Sequence, residues 1–192
     1  GKKRRARVGG GVAADSGERC VALEGLLIKS FEMKRHTNVN LSGCKISRLP
    51  HALLRTFSSV ITLDISSNAI AELPIRALRH LPVLQELRTA HNMIATIPSP
   101  LYLLSTLSLL DLSHNRVSFL SPDISRLPSL DTLILAHNPL PLLPSTLPLL
   151  PNLTFLDVRH TPLPPHILIS LPPPPTEPLT HHGTQQRPMG GQ

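Results

Sequence analysis

An asparagine returns along this chain at a nearly constant interval. Asn68, Asn92, Asn115 and Asn138 are separated by 24, 23 and 23 residues. A chain that repeats itself with a period of about 20 to 50 residues builds stacked supersecondary units rather than a single globular layer packing. Each asparagine sits in the same frame. The segments VITLDISSNAI from Val60, LQELRTAHNMI from Leu84, LSLLDLSHNRV from Leu107 and LDTLILAHNPL from Leu130 all read LxxLxLxxNxL with conservative swaps. A first copy from His36 carries Cys44 in the asparagine slot, and a last copy from Leu153 carries Thr161 there, which makes six.

The frame predicts its own geometry. Alternation around its fourth and sixth positions is the signature of a short strand, and strands recurring at this interval pair in parallel through a return segment. The result is a coil. Leu63 and Ile65, Leu110 and Leu112, and Leu133 and Leu135 are expected inside it, with Ile70, Val117 and Leu140 from the turn and Leu73, Leu120 and Leu143 from the return. With no Trp, one Tyr and four Phe, the core has to be aliphatic, and each repeat needs its neighbours to bury one. The turn after each strand tucks away backbone groups that require partners. A side-chain amide both donates and accepts, so Asn68, Asn92, Asn115 and Asn138 are assigned to a structural ladder between coils, with Cys44 as the smaller substitute near one end. Three departures stand out: Thr89 at an inward sixth position, Thr161 with Pro162 in the last turn, and Ser121 where other copies have Pro after the fourteenth position.

From His36 to about Leu163 the chain resembles the leucine-rich-repeat family. The Leu49-Pro50, Leu73-Pro74, Ile97-Pro98 and Leu143-Pro144 pairs that follow the signature resemble the 23-residue repeats of intracellular Ras-binding and Ras-suppressor proteins. The resemblance implies an α/β class, a leucine-rich-repeat solenoid or horseshoe with a concave parallel sheet and about six repeats, and a protein-binding, non-catalytic role in signalling or scaffolding.

The segments outside the repeats read differently. Six cations against Asp15 and Glu18 leave residues 1–20 at +4 of the chain's total +7, so the remainder carries only +3. Residues 1–20 are expected to be a disordered basic tail. VALEGLLIKSFEMKR over 21–35 places Leu23, Leu27 and Phe31 at helical spacing and predicts a helix capping the open apolar end of a repeat domain over 36–165. Residues 166–192 are a proline-rich tail whose LPPPPTEP run favours a polyproline helix, expected to be mostly disordered. Such a run also makes a proline-reading domain a second candidate partner. Cys20 and Cys44 are too few for the clustered disulfides that close secreted repeat proteins. No apolar run approaches the roughly 20 residues of a membrane span. The expectation is an intracellular, cytoplasmic protein, with a nuclear location as the alternative.

No nucleophile, phosphate loop or metal signature can be assembled, so neither catalysis nor a cofactor is expected. His91, His114, His137 and His160 recur every 23 residues and should line up beside the turns. A flat line does not converge on a tetrahedral metal, which leaves them as turn residues or as a pH-sensitive edge. The docking site is placed by strand geometry. The third and fifth positions point away from the core, and repeats three to six present Leu109, Ile134 and Phe155 among Arg88, Asp111 and Asp157. This pattern of apolar anchors within a charged rim is that of a protein interface, so the expected partner is a protein. Two alternatives from other classes are a nucleic-acid-associated factor that uses the basic tail, and a fragment of a larger receptor or enzyme. Nucleic acid is disfavoured because no aromatic residues interleave with KKRRAR to stack on bases. If the proline-rich tail lies outside the solenoid, deleting residues 172–192 should leave the thermal unfolding midpoint nearly unchanged; a large drop would make that segment the missing cap.

Overall fold

The computed structural model describes residues 37–49, 58–73 and 80–164. The expected basic tail with Cys20, the capping helix over 21–35 and the proline-rich tail lie outside those residues.

Six three-residue strands form one parallel sheet in chain order: β1 (Asn38–Asn40), β2 (Thr62–Asp64), β3 (Glu86–Arg88), β4 (Leu109–Asp111), β5 (Thr132–Ile134) and β6 (Phe155–Asp157). The register holds the third, fourth and fifth positions of every copy opposite their counterparts, as in Leu63↔Leu87, Leu87↔Leu110 and Leu110↔Leu133. Backbone pairing continues past the strands. Thr89 N–H donates to the Asp111 carbonyl at 2.8 Å and His91 N–H to the Ser113 carbonyl at 3.0 Å. The rigid part of each coil therefore extends into the turn.

The central strand residue is buried and its neighbours half-buried in β2 to β5, as a sheet with one packed face requires. The aliphatic columns continue through Ile70, Ile94, Val117 and Leu140 in the turns, and Leu101, Ile124 and Leu147 in the returns, all in one core. The described returns are 3-10 turns at Ser99–Leu103, Pro122–Arg126 and Leu147–Leu149, each with proline in its first two positions. There the missing N–H costs no hydrogen bond.

Two of the departures resolve into local chemistry. Thr89 is fully buried, and its hydroxyl donates to the Asp111 carbonyl at 2.7 Å, so a polar atom in the core is satisfied. Ser121 caps the following turn: its hydroxyl accepts from Asp123 N–H at 3.2 Å, with Pro122 directly after it. The proline has moved one residue along, and a capping serine has taken its place.

The asparagines bridge successive coils. Asn115 Oδ1 accepts from Ile94 N–H at 3.0 Å. Its Nδ2 lies 2.9 Å from the Thr89 carbonyl of the previous coil, and 3.0 and 3.1 Å from the Leu112 and Ser113 carbonyls of its own. Asn68, Asn92 and Asn138 repeat this set, their Oδ1 accepting from Ile46, Ile70 and Val117 N–H at 2.9 Å each. Cys44 is half-buried and donates only to the Ser42 carbonyl of its own turn. Thr161 keeps one bond of the set, from its hydroxyl to the Val158 carbonyl.

Asn115→Ala strands Ile94 N–H away from water and leaves the Thr89 carbonyl with only the bond from Asn92 of its own coil, so it should cost about 1 to 3 kcal/mol in a urea melt. Cys44→Ala, which breaks no bond between coils, should cost less. Equal and negligible losses would remove the ladder from the account of stability.

Candidate docking face

The third and fifth positions stand on the open side of the sheet. Leu109, Ile134 and Phe155 are each half-buried there. Thr132 pairs with both Leu109 and Phe155, and Ile134 pairs with Asp111 and Asp157. With strands about 4.8 Å apart, the three apolar side chains form a triangle spanning β4 to β6, with Ile134 set between two carboxylates.

The charges around the triangle are already engaged. On β3, Arg88 Nε and Nη2 lie 3.3 and 3.0 Å from Glu86 Oε2, two residues away on the same face. Just past β6, Arg159 closes a two-pronged fork on Asp157, with Nε to Oδ1 at 2.9 Å and Nη2 to Oδ2 at 2.7 Å. Such forks are strong because both bonds are charge-assisted. Asp157 Oδ1 also accepts from Arg159 N–H at 3.0 Å. Asp64 and Asp111 close the same local turn onto Ser66 and Ser113 N–H, at 2.9 Å each. The aspartates of the fifth column are thus strand-end caps as well as surface charges.

Of the residues singled out from the sequence, Arg88, Leu109, Asp111, Ile134 and Phe155 lie together on this face and are half-buried. Asp157 is 4% exposed, so it reaches a partner only through Arg159. Burial works to raise the Asp157 carboxyl, but the two hydrogen bonds and the charge of Arg159 more than offset it and hold it below the ordinary carboxylate value.

Sequence reasoning missed a second apolar feature. Phe119 is 68% and Leu142 64% exposed, and both occupy the thirteenth position of consecutive copies. The signal was present as large apolar residues at a position outside the LxxLxLxxN template. The histidine column is also in place: the rings of His91, His114, His137 and His160 stack with centroids 4.0 to 4.1 Å apart. Among the described residues, no group of three His, Cys, Asp or Glu is placed to hold a metal ion. No helix among them is long and apolar enough to cross a membrane.

A family model described as leucine rich repeat matches residues 35–94. A solved leucine-rich-repeat protein of Leptospira interrogans superposes with a TM-score of 0.67 at 30% identity, over 72% of this chain and 35% of its own. The chain is a leucine-rich-repeat solenoid. Its six parallel strands and its asparagine ladder are the same repeat counted in two ways. The leucine-rich-repeat ectodomain of the membrane receptor kinase GASSHO1/SCHENGEN3 from Arabidopsis thaliana, solved in complex with Casparian strip integrity factor 2, is 25% identical. It superposes with a TM-score of 0.59 over 69% of this chain and 16% of its own. The leucine-rich-repeat domain of APL1 shares the fold at 22% identity, with a TM-score of 0.60 over 68% of this chain and 34% of its own. The solenoid thus spans about a third of the Leptospira protein and less of the plant receptor. No curated protein matches the sequence.

Arg159→Gln should expose the conflict that the fork resolves. A carboxyl held low in the folded state stabilises above its unfolded pKa, and that contribution is lost as pH falls through the folded value. Without the guanidinium, burial is opposed only by the backbone N–H of residue 159 and by His137, so the carboxyl loses most of its lowering and with it the stability that the ionised form supplies at neutral pH. The variant should therefore melt below wild type at pH 7, and the gap should narrow by pH 4. A gap that is constant with pH would show that Asp157 does not depend on Arg159.

Proposed function

We propose that the solenoid is a non-catalytic interaction module that docks a protein partner on the open face of β3 to β6. The observation that carries this reading is the half-exposed triangle of Leu109, Ile134 and Phe155 on a sheet whose other side is fully packed. Apolar anchors of this kind supply affinity by leaving water, and the surrounding Arg88–Glu86 and Asp157–Arg159 pairs supply a polar rim. Both guanidiniums are held by their neighbours, so they meet a partner with little conformational freedom left to lose. Asp111, capped on Ser113, completes the rim between them.

Two features of the neighbours support the reading. The leucine-rich-repeat fold is generally a binding scaffold, and the plant ectodomain was solved with a bound factor. That ectodomain also shows that the fold serves parts of larger receptors, so the reading extends to this solenoid as a module within a longer chain. An intracellular site of action and the Ras-suppressor subtype remain part of the proposal. They rest on the apolar-Pro pairs that follow the signature and on the single cysteine, Cys44, among the described residues. Nucleic acid fits the face poorly, since Asp64, Glu86, Asp111 and Asp157 outnumber Arg88 and Arg159 on it and would repel phosphates.

The test is a double substitution. Because Ile134 lies between Asp111 and Asp157, an acidic replacement would stack three carboxylates and confuse folding with binding. Ile134→Thr with Phe155→Thr places uncharged β-branched side chains, which suit strands, at both positions. Affinity for a captured protein partner should fall by at least about 30-fold, the equivalent of roughly 2 kcal/mol for lost anchors. Thr62→Ala should change it little. A folded double variant that binds as wild type would move the site off this face.

A further inference from the structure

The eighth position of every copy has a left-handed backbone. Gly43, Ser67, His91, His114, His137 and His160 have φ between 52° and 66°. Outside glycine this conformation is uncommon, and histidine is among the side chains that adopt it more readily. Four of the six positions are histidines in consecutive copies. Their backbone amides from His91 to His137 are fixed to the next coil, at 2.9 to 3.0 Å from the carbonyls of Ser113, Ala136 and Arg159. The side chains therefore leave the turns in one direction at one spacing. The rings lie nearly parallel, 13° to 18° between planes and 4.0 to 4.1 Å between centroids, and all four residues are exposed.

We propose that His91, His114, His137 and His160 are one proton-sensing unit, a column that stays stacked while neutral and separates as it charges in mild acid. Neutral imidazoles gain from face-to-face contact at this distance. Two imidazoliums at the same distance repel, and an inner ring has a neighbour on each side. The surroundings are mixed. Asp111 of β4 favours a charge on His114, and Asp157 of β6 interacts with His137 but is already bound by Arg159. Arg159 and Arg116 add positive charge beside the column in sequence. Next to His91 the column ends at the uncharged Ser67. Partial desolvation of His114, together with repulsion from His91 and His137, outweighs Asp111 and holds this ring below its ordinary value. At His114 the unfolded chain then takes up its proton before the folded chain does. Stability is complete above the ordinary histidine value and declines as pH falls through it toward the lower folded value.

Ring proton shifts in the intact chain, followed by NMR from pH 8 to 4.5, test the unit. His114 should titrate below the midpoint of histidines in the urea-unfolded chain. In His91→Asn with His137→Asn, where asparagine tolerates the left-handed backbone, its midpoint should move up. The same variant should lose less melting temperature between pH 7.5 and 5 than wild type. If the His114 midpoint stays put when its two neighbours are removed, the rings titrate independently and the unit does not exist. A variant unfolded at pH 7.5 would also overturn the proposal, because the rings would then be structural. The docking reading above survives either failure, since no ring of the column belongs to the apolar triangle.

Discussion

Each coil of this solenoid closes over backbone groups that it cannot satisfy by itself. The turn that carries the chain from strand to return leaves an inward N–H at the eleventh position with no partner in its own coil, and an inward carbonyl at the sixth that its own asparagine satisfies only in part. The asparagine of the next coil answers both: Asn115 accepts from Ile94 and donates to Thr89, and Asn138 does the same for Val117 and Leu112. One buried amide thereby sets the axial spacing and the rotational register between neighbours. The ends confirm the logic by default. Cys44 bonds only within its own turn, and Thr161 retains a single bond of the set.

Register of that quality has consequences far from the amide. Strands of only three residues are weak ordering elements alone, yet the pairing extends through the turns because the asparagines hold the turns in step. Every position of the repeat then becomes a column. Aliphatic columns make the core, the fifth column makes a line of strand-end caps at Asn40, Asp64, Asp111 and Asp157, and the eighth makes the histidine stack. A slip of one residue between two coils would break the ladder, bury charge and scatter the rings together. The fold is therefore specified more sharply than its small strands suggest.

Much of this was legible because it depends on position modulo the repeat. The inward leucines, the asparagine column, the sheet order and the third and fifth columns follow from counting. What was not legible depends on rotamer and backbone angle. Nothing in the order Asp157, Val158, Arg159 announces that the arginine folds back over the aspartate and buries it, so Asp157 reads as a rim charge from the sequence and is a covered one in the structure. Ser121 reads as a missing proline, and its capping role emerges only once the next turn is known to begin at Pro122. The left-handed eighth position was hidden because glycine, serine and histidine share no hydropathy. Phe119 and Leu142 fell outside the template that drew attention to the other apolar residues.

The separation between columns also decides where function can reside. A solenoid is held by contacts between nearest neighbours, so inward and ladder positions are constrained by both adjacent coils, while the third and fifth positions answer mainly to solvent. Across the six copies the fourth position is always Val or Leu, but the third runs Asn38, Thr62, Glu86, Leu109, Thr132, Phe155. Variation of that breadth on a rigid sheet lets one scaffold present a different surface at each repeat without altering its core. In this chain every apolar choice falls on β4 to β6, beside Asp111, Thr132 and Asp157, while the third and fifth positions of β1 to β3 are polar throughout. That gradient along the sheet gives the face a direction, and the docking we propose would dehydrate one end of it and meet charge at the other.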